Sequence, residues 1–163
     1  MVMLPVWTFL ASHFERISTL LLHSTCSLTS NYPFCVAALQ SDPRSLRAND
    51  VKSLSAIAVG IAFSKARTTS TYASGMTKNV TAAAALFGTC AEKYRNAGEA
   101  LRWALGSLAQ ENYDYACMHV RAAHEYACAC GTLFSRRKSP ASAYPPATAK
   151  RADYLQRKGN HVG

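Results

Sequence analysis

The sequence predicts an all-α fold, a helical bundle, on three observations. From Cys90, apolar residues recur at Tyr94, Ala97, Leu101, Ala104 and Leu108, in steps of 4, 3, 4, 3 and 4. A second segment repeats the period through Ala116, Val120, Ala123, Ala127, Cys130 and Phe134. No stretch alternates apolar and polar residues as a half-buried strand does. The two segments share one seam period and are separated only by the break at Gln110-Glu111-Asn112, so they read as an antiparallel helical hairpin.

Taken in order, residues 1–16 read as a degenerate signal or leader segment. The apolar run Val2 to Leu10 has no Lys or Arg ahead of it, and no A-x-A cleavage site follows cleanly. An incomplete start fits the same residues. Ile17 to Leu22 is apolar with Ser and Thr and leads to Cys26. Asn31-Tyr32-Pro33-Phe34-Cys35 reads as a turn with Pro33 fixing the bend, and a short helix from Cys35 should stop at Asp42, which Pro43 pushes out of the helical region. Asn49 and Asp50 are good caps for a helix starting near Val51, with a stripe of Val51, Leu54, Ala58, Ile61 and Ala62, running to Tyr72 or Met76. The Ala-rich run Ala82 to Leu86 opens the next helix, which carries the Cys90 seam. After Phe134 the composition turns to Pro, Ser and basic residues. Ala147 to Arg157 starts like a helix, but Gly159, Asn160 and Gly163 end it. The expected organisation is a leader over 1–16, a helical domain over 17–134 and a Pro-containing basic tail over 135–163.

Composition excludes several classes. With 163 residues the chain is long enough for one domain with its own core. At 49% hydrophobic and 17% charged residues it is not a wholly disordered chain. The net charge of +9 invites a nucleic-acid reading, but it is badly placed for one. Residues 135–163 hold seven basic residues against one acid, a net +6, which leaves only +3 on the other 134 residues. Nucleic-acid recognition needs basic groups on a shaped face, so this distribution argues against it. No apolar run reaches the 18–20 residues of a membrane span.

Six cysteines are more than a cytosolic chain of this length normally carries. Cys90 and Cys130 both lie on the seams, which face each other across the hairpin. Cys128 is two residues from Cys130 and so points roughly 200° away on a helix. Periodicity therefore favours Cys90–Cys130 over Cys90–Cys128. Cys117 and Cys128 are roughly 16 Å apart along a continuous helix and cannot bond to each other. They are expected to stay out of intramolecular disulfides, as thiols or with one paired between molecules. No C-x-x-C or H-E-x-x-H is present, and His119 and His124, five apart, do not share a helix face. No metal site, no cofactor and no enzyme activity are expected. The chain shows no Gly-rich elbow, phosphate loop or carboxylate pair, and no His is placed to activate Cys117.

Several segments together resemble one family. They are Cys26-Ser-Leu-Thr-Ser-Asn-Tyr-Pro-Phe-Cys35, the stretch LQSDPRS from Leu39 to Ser45, Asp50-Val-Lys-Ser-Leu54, Cys90 followed by Tyr94, Asn112-Tyr-Asp-Tyr-Ala116, Ala122-Ala123, and Cys130 followed by Phe134. This pattern is similar to the plant invertase and pectin methylesterase inhibitor family over about Ile17 to Phe134. The resemblance implies an up-down-up-down four-helix bundle with an N-terminal helical hairpin extension. It also implies a Cys26–Cys35 staple, and a bond from a Cys before the second long helix to one late in the third, which here is Cys90–Cys130. It implies a secreted plant protein of the cell wall, without catalysis of its own, that caps the active-site cleft of pectin methylesterase or acid invertase in a one-to-one complex.

The family's target-binding loop falls on Tyr113, Asp114 and Tyr115. Members that block acid invertase can carry Pro-Lys-Phe there. This chain keeps an aromatic at Tyr115 but has an acid, Asp114, where that mode uses a cation, and an acid is repelled by the carboxylates of a glycosidase site. Pectin methylesterase is therefore the favoured target and invertase the alternative. The competing reading is that Tyr113 and Tyr115 cap the hairpin and pack on its seam. Asn79-Val80-Thr81 is a glycosylation acceptor if the chain is secreted. In the family a long apolar last helix follows the Pro-rich linker. Here Gln156 to Gly163 replaces it, so the last bundle helix is expected to be truncated. The exposed seam would then favour self-association, and a truncated non-inhibitory relative, acting only as an interaction protein, is the further alternative.

Overall fold

The computed structural model describes residues 18–78 and 83–138. All their regular structure is helical. Helix α1 covers residues 18–27. Helix α2 is Tyr32–Gln40, a 3-10 turn spans Pro43–Arg47, and three long helices follow: α3 (Val51–Met76), α4 (Ala84–Ala109) and α5 (Tyr113–Lys138). The leader reading of residues 1–16, the acceptor Asn79 and the truncated last helix expected at Ala147 to Arg157 all lie outside the described residues. The chain divides into two compact units, 1–130 and 131–163. Of the second, only the end of α5 is described.

Short polar side chains set most of the helix starts. Asn31 Oδ1 accepts the Phe34 N–H (3.2 Å), Asp42 Oδ1 accepts the Arg44 N–H (3.0 Å), and Asp50 Oδ1 accepts the Ser53 N–H (2.6 Å). Each satisfies one of the donors that a helix start leaves without a partner. The first of these caps corrects an expectation. Helix α2 begins at Tyr32, three residues earlier than the spacing predicts, with Pro33 inside its first turn. Proline lacks only an N–H that has no intrahelical partner there, and its fixed φ suits the helix, so Pro33 initiates rather than bends. At the far end Pro43 closes the helical register, and Ser41 and Asp42 turn the chain.

Helix α3 starts at Val51 and ends at Met76, and of the predicted stripe Leu54 is buried and Ile61 packs on the core, but the other three positions are not inside. Val51 is 55% exposed, and Ala58 and Ala62 are exposed too. The buried line is Leu54, Ala66 and Ala73, with Ile57 and Ile61 packed beside it. Alanines carry too little apolar area to direct a helix face, so the leucine and isoleucines decide it. On α4 the expected seam is the buried one, with Cys90, Ala97, Leu101, Ala104 and Leu108 all inside. On α5, Ala116, Ala123 and Cys130 are buried, whereas Val120 is 39% exposed, at the margin of the seam.

Two apolar clusters hold these helices. Leu22, Cys26, Leu39, Ala48 and Leu54 join the α1–α2 hairpin to the start of α3. Ala66, Ala97, Ala100, Leu101 and Ala123 join α3, α4 and α5, with Phe63, Tyr94 and Tyr126 at the edges. The second cluster is mostly alanine, which lets the backbones approach closely but contributes little transfer free energy per residue. Covalent and polar links add to it. Cys26 is bonded to Cys35 and Cys90 to Cys130, with Cα atoms 5.6 and 5.1 Å apart. The Ser70 hydroxyl donates to the Ala91 carbonyl (2.8 Å) between α3 and α4. The Lys93 ammonium lies 5.8 Å from the Tyr126 ring centre between α4 and α5.

Candidate functional site

The three long helices run antiparallel, so the start of α3, the end of α4 and the start of α5 meet at one end of the bundle. The connection there is short. Helix α4 ends at Ala109, and Gln110 closes it by donating its N–H to the Gly106 carbonyl (3.2 Å). The Glu111 N–H then bonds the Leu108 carbonyl (3.1 Å), and the Asn112 N–H bonds the Ser107 carbonyl (2.9 Å). These two bonds form a Schellman motif, which normally uses glycine because its turning residue is left-handed. Here that residue is Glu111, at φ 59°. Asn112 ends one motif and opens the next, because its carbonyl accepts the Ala116 N–H (3.0 Å) at the start of α5. The direction of α5 is thus fixed by backbone bonds on both sides of one residue.

Glu111 also reaches across to α3. Its Oε1 lies 2.7 Å from the Lys52 ammonium. That hydrogen bond, with the ammonium charge, holds the Glu111 carboxyl below its ordinary range and raises Lys52. Nearby, the Ser53 N–H on its oxygen holds Asp50 low. Both carboxylates are therefore ionised in any mildly acidic medium. Asp114 finds no cation among the described residues, so this end presents uncompensated negative charge.

Tyr113, Asp114 and Tyr115 form the first turn of α5 rather than a free loop, because helical hydrogen bonding already begins at Asn112. Tyr113 is 54% and Tyr115 57% exposed, so neither packs on the seam as the competing reading held. Val51 and Met118 are exposed as well. The result is a hydrogen-bonded helix start with exposed tyrosines on either side of an acid.

Two features were not found in the sequence. The Lys52–Glu111 pair spans 59 residues and has no local signature. His124 and Cys128 are four apart on α5, and Cys128 Sγ lies 3.4 Å from His124 Nε2. Their helical spacing is a signal that a search for pairs of histidines passes over. Cys117 is exposed on the same helix, and neither it nor Cys128 takes part in the two disulfides. Among the described residues no group of three or more metal-ligating side chains forms, and no helix is long and apolar enough to cross a membrane.

A protein of Arabidopsis thaliana named cell wall / vacuolar inhibitor of fructosidase 2 is 41% identical over 143 residues, which cover 86% of this chain and 78% of that protein. Pectinesterase inhibitor 28 of Oryza sativa subsp. japonica is 42% identical over 147 residues, covering 84% of this chain but 63% of its own length. A pectinesterase inhibitor of Actinidia deliciosa is 31% identical over 116 residues, covering 70% of this chain and 62% of its own. The chain thus spans under two thirds of the two pectinesterase inhibitors. The model of the plant invertase/pectin methylesterase inhibitor family matches residues 21–158, and the chain is a member of that family.

Proposed function

We propose that this chain is a secreted inhibitor of a cell-wall carbohydrate enzyme and that its target is pectin methylesterase. The end of the bundle that carries the first turn of α5 seats in the active-site cleft in a one-to-one complex. The observation that supports this reading is the exposure of Tyr113 and Tyr115 on either side of Asp114 at a helix start fixed by backbone bonds. Two tyrosines supply large contact area at low side-chain entropy cost, and the fixed turn spares the complex the cost of ordering a loop. Asp114 bears on the choice of target. It stands where invertase-blocking members can carry a lysine, and an uncompensated acid is repelled by glycosidase carboxylates. The two disulfides fit an oxidising compartment such as the wall.

A second reading, inhibition of acid invertase, is favoured by one observation. The relative named an inhibitor of fructosidase is covered over 78% of its length, against 63% for the rice pectinesterase inhibitor. Parallel titration of both enzymes with the full chain separates the readings. Stoichiometric loss of pectin methylesterase activity with invertase untouched is the expected result. Tyr113→Ala and Tyr115→Ala should each weaken that inhibition by roughly 30-fold, the effect of truncating an interface anchor worth about 2 kcal/mol. Inhibition of invertase alone would replace the first reading with the second. Inertness towards both, in a folded chain, would make it a non-inhibitory relative.

A further inference from the structure

We infer that His124 and Cys128 form one half of a zinc-class metal site, completed by the same pair of a second copy of the chain. This inference does not rest on the choice of target enzyme. The two residues are one helical turn apart on α5, both exposed, and Cys128 Sγ lies 3.4 Å from His124 Nε2 and 3.9 Å from Nδ1. A tetrahedral zinc ion with Zn–S of about 2.3 Å and Zn–N of about 2.0–2.1 Å spaces its sulfur and nitrogen ligands roughly 3.5 Å apart. The pair is therefore already at the bite distance of that ion, with Nε2 as the ligating nitrogen. The helix backbone sets the spacing, so little order must be imposed on binding. A thiolate and an imidazole are the donor types that borderline-soft divalent ions prefer over the oxygen donors of calcium or magnesium.

One chain supplies only two ligands, and no third metal-ligating side chain gathers with them among the described residues. A two-fold axis through the ion supplies the other two. An isologous contact places the same patch on both subunits, and two His–Cys pairs make a closed four-coordinate site of two nitrogens and two sulfurs. Each Cys128 thiol gives up its proton to the solvent as its Zn–S bond forms, so one ion bridging two chains releases two protons. Cys117 is a control built into the same helix. It is exposed too, but the residues four away on either side are Tyr113 and Arg121, which are not ligands for this ion.

The test is the mass of the full chain by light scattering, with zinc sulfate alone or with a chelator. Spectra with cobalt(II) in place of zinc count the sulfurs on the metal. The expected result is a reversible shift from monomer to dimer at one zinc per two chains, with a tetrahedral cobalt spectrum showing two thiolates. His124→Ala and Cys128→Ser should abolish both, and Cys117→Ser should leave both unchanged. All three positions are on the exposed side of α5, and circular dichroism checks that the helix content holds. Zinc uptake or dimerisation that persists in either of the first two variants overturns the inference. So does one zinc per monomer, or a dimer that resists chelator but falls apart with a thiol reductant, which would be an intermolecular disulfide.

Discussion

The Cys90–Cys130 bond should contribute more to stability than the Cys26–Cys35 bond. The reason lies in the unfolded chain. Cys90 and Cys130 are 40 residues apart, whereas Cys26 and Cys35 are 9 apart. Loop-closure entropy grows with the logarithm of the closed loop, which gives about 4 kcal/mol for the longer bond and about 2.7 kcal/mol for the shorter. Replacing either pair by alanine removes two sulfur atoms, so the packing losses partly cancel in the comparison. The difference of about 1.3 kcal/mol is then mainly the difference in loop length. Urea unfolding of the two double-alanine chains, both in a Cys117→Ser, Cys128→Ser background that prevents reshuffling, measures it. Loss of the short bond should leave α3, α4 and α5 cooperative, while loss of the long one frees α5 from α4. If removing Cys26 and Cys35 costs as much as removing Cys90 and Cys130, the loop-length reasoning fails.

Three further outcomes follow from particular residues. Gly98 is buried in the middle of α4, and a Cβ there would meet only Arg67 Cγ at 3.9 Å and Phe63 Cε2 at 4.0 Å, ordinary contact distances. Gly98→Ala should therefore stabilise the chain by about 0.5–1 kcal/mol in thermal or urea unfolding, the helix-interior cost of glycine. The Ser45 hydroxyl is fully buried and finds no partner among the described residues, so Ser45→Ala should stabilise by about 1 kcal/mol; a loss would reveal a partner for it. The Arg44 side chain, and then its N–H, hold the Asp42 carboxyl down to about 2, from 3.8. A depressed carboxylate stabilises fully above its unfolded pKa, and the contribution is lost as pH falls through the folded one. Acid unfolding of the parent should thus show a component between about 4 and 2 that is missing in Asp42→Asn, with carboxyl titration by NMR as the check.

The parts of this fold that were legible in the sequence are those where one side chain dominates its surroundings. The α4 seam is read correctly because Cys90, Leu101 and Leu108 recur with a clean period and meet a partner helix on the same face. The α3 stripe is only partly right, and two of its three exposed positions are alanines. Leu54 and Ile61 of the stripe do pack on the core, but Ile57, outside the stripe, packs there too while Ala58 and Ala62 stay exposed, so contact with the α1–α2 hairpin shifts the face in a way no local pattern encodes. Val120 has the right period but is 39% exposed. Pro33 is a different kind of miss: the same residue that breaks a helix interior starts one when it sits in the first turn behind a capping asparagine.

The candidate site shows the same division. That Tyr113, Asp114 and Tyr115 follow a break in the pattern is visible from Gln110-Glu111-Asn112. That they begin a helix, and in which direction it leaves, is not, because the turning residue is a glutamate where glycine would have announced the motif. The Lys52–Glu111 contact draws attention, but both partners are well exposed, at 39% and 66%, and a pair so open to solvent and salt contributes little to holding position. The Glu111–Leu108 and Asn112–Ser107 backbone bonds are better placed to do so, since they join the end of α4 directly to the start of α5. The orientation of Tyr113 and Tyr115 therefore depends on the stability of the α4–α5 hairpin as a whole. The distant Cys90–Cys130 bond and the alanine-lined contact of α4 with α5 belong to the same mechanical unit as the exposed turn. On the proposed reading of the α5 turn as the inhibitory surface, loosening either should weaken inhibition without changing a residue of that turn.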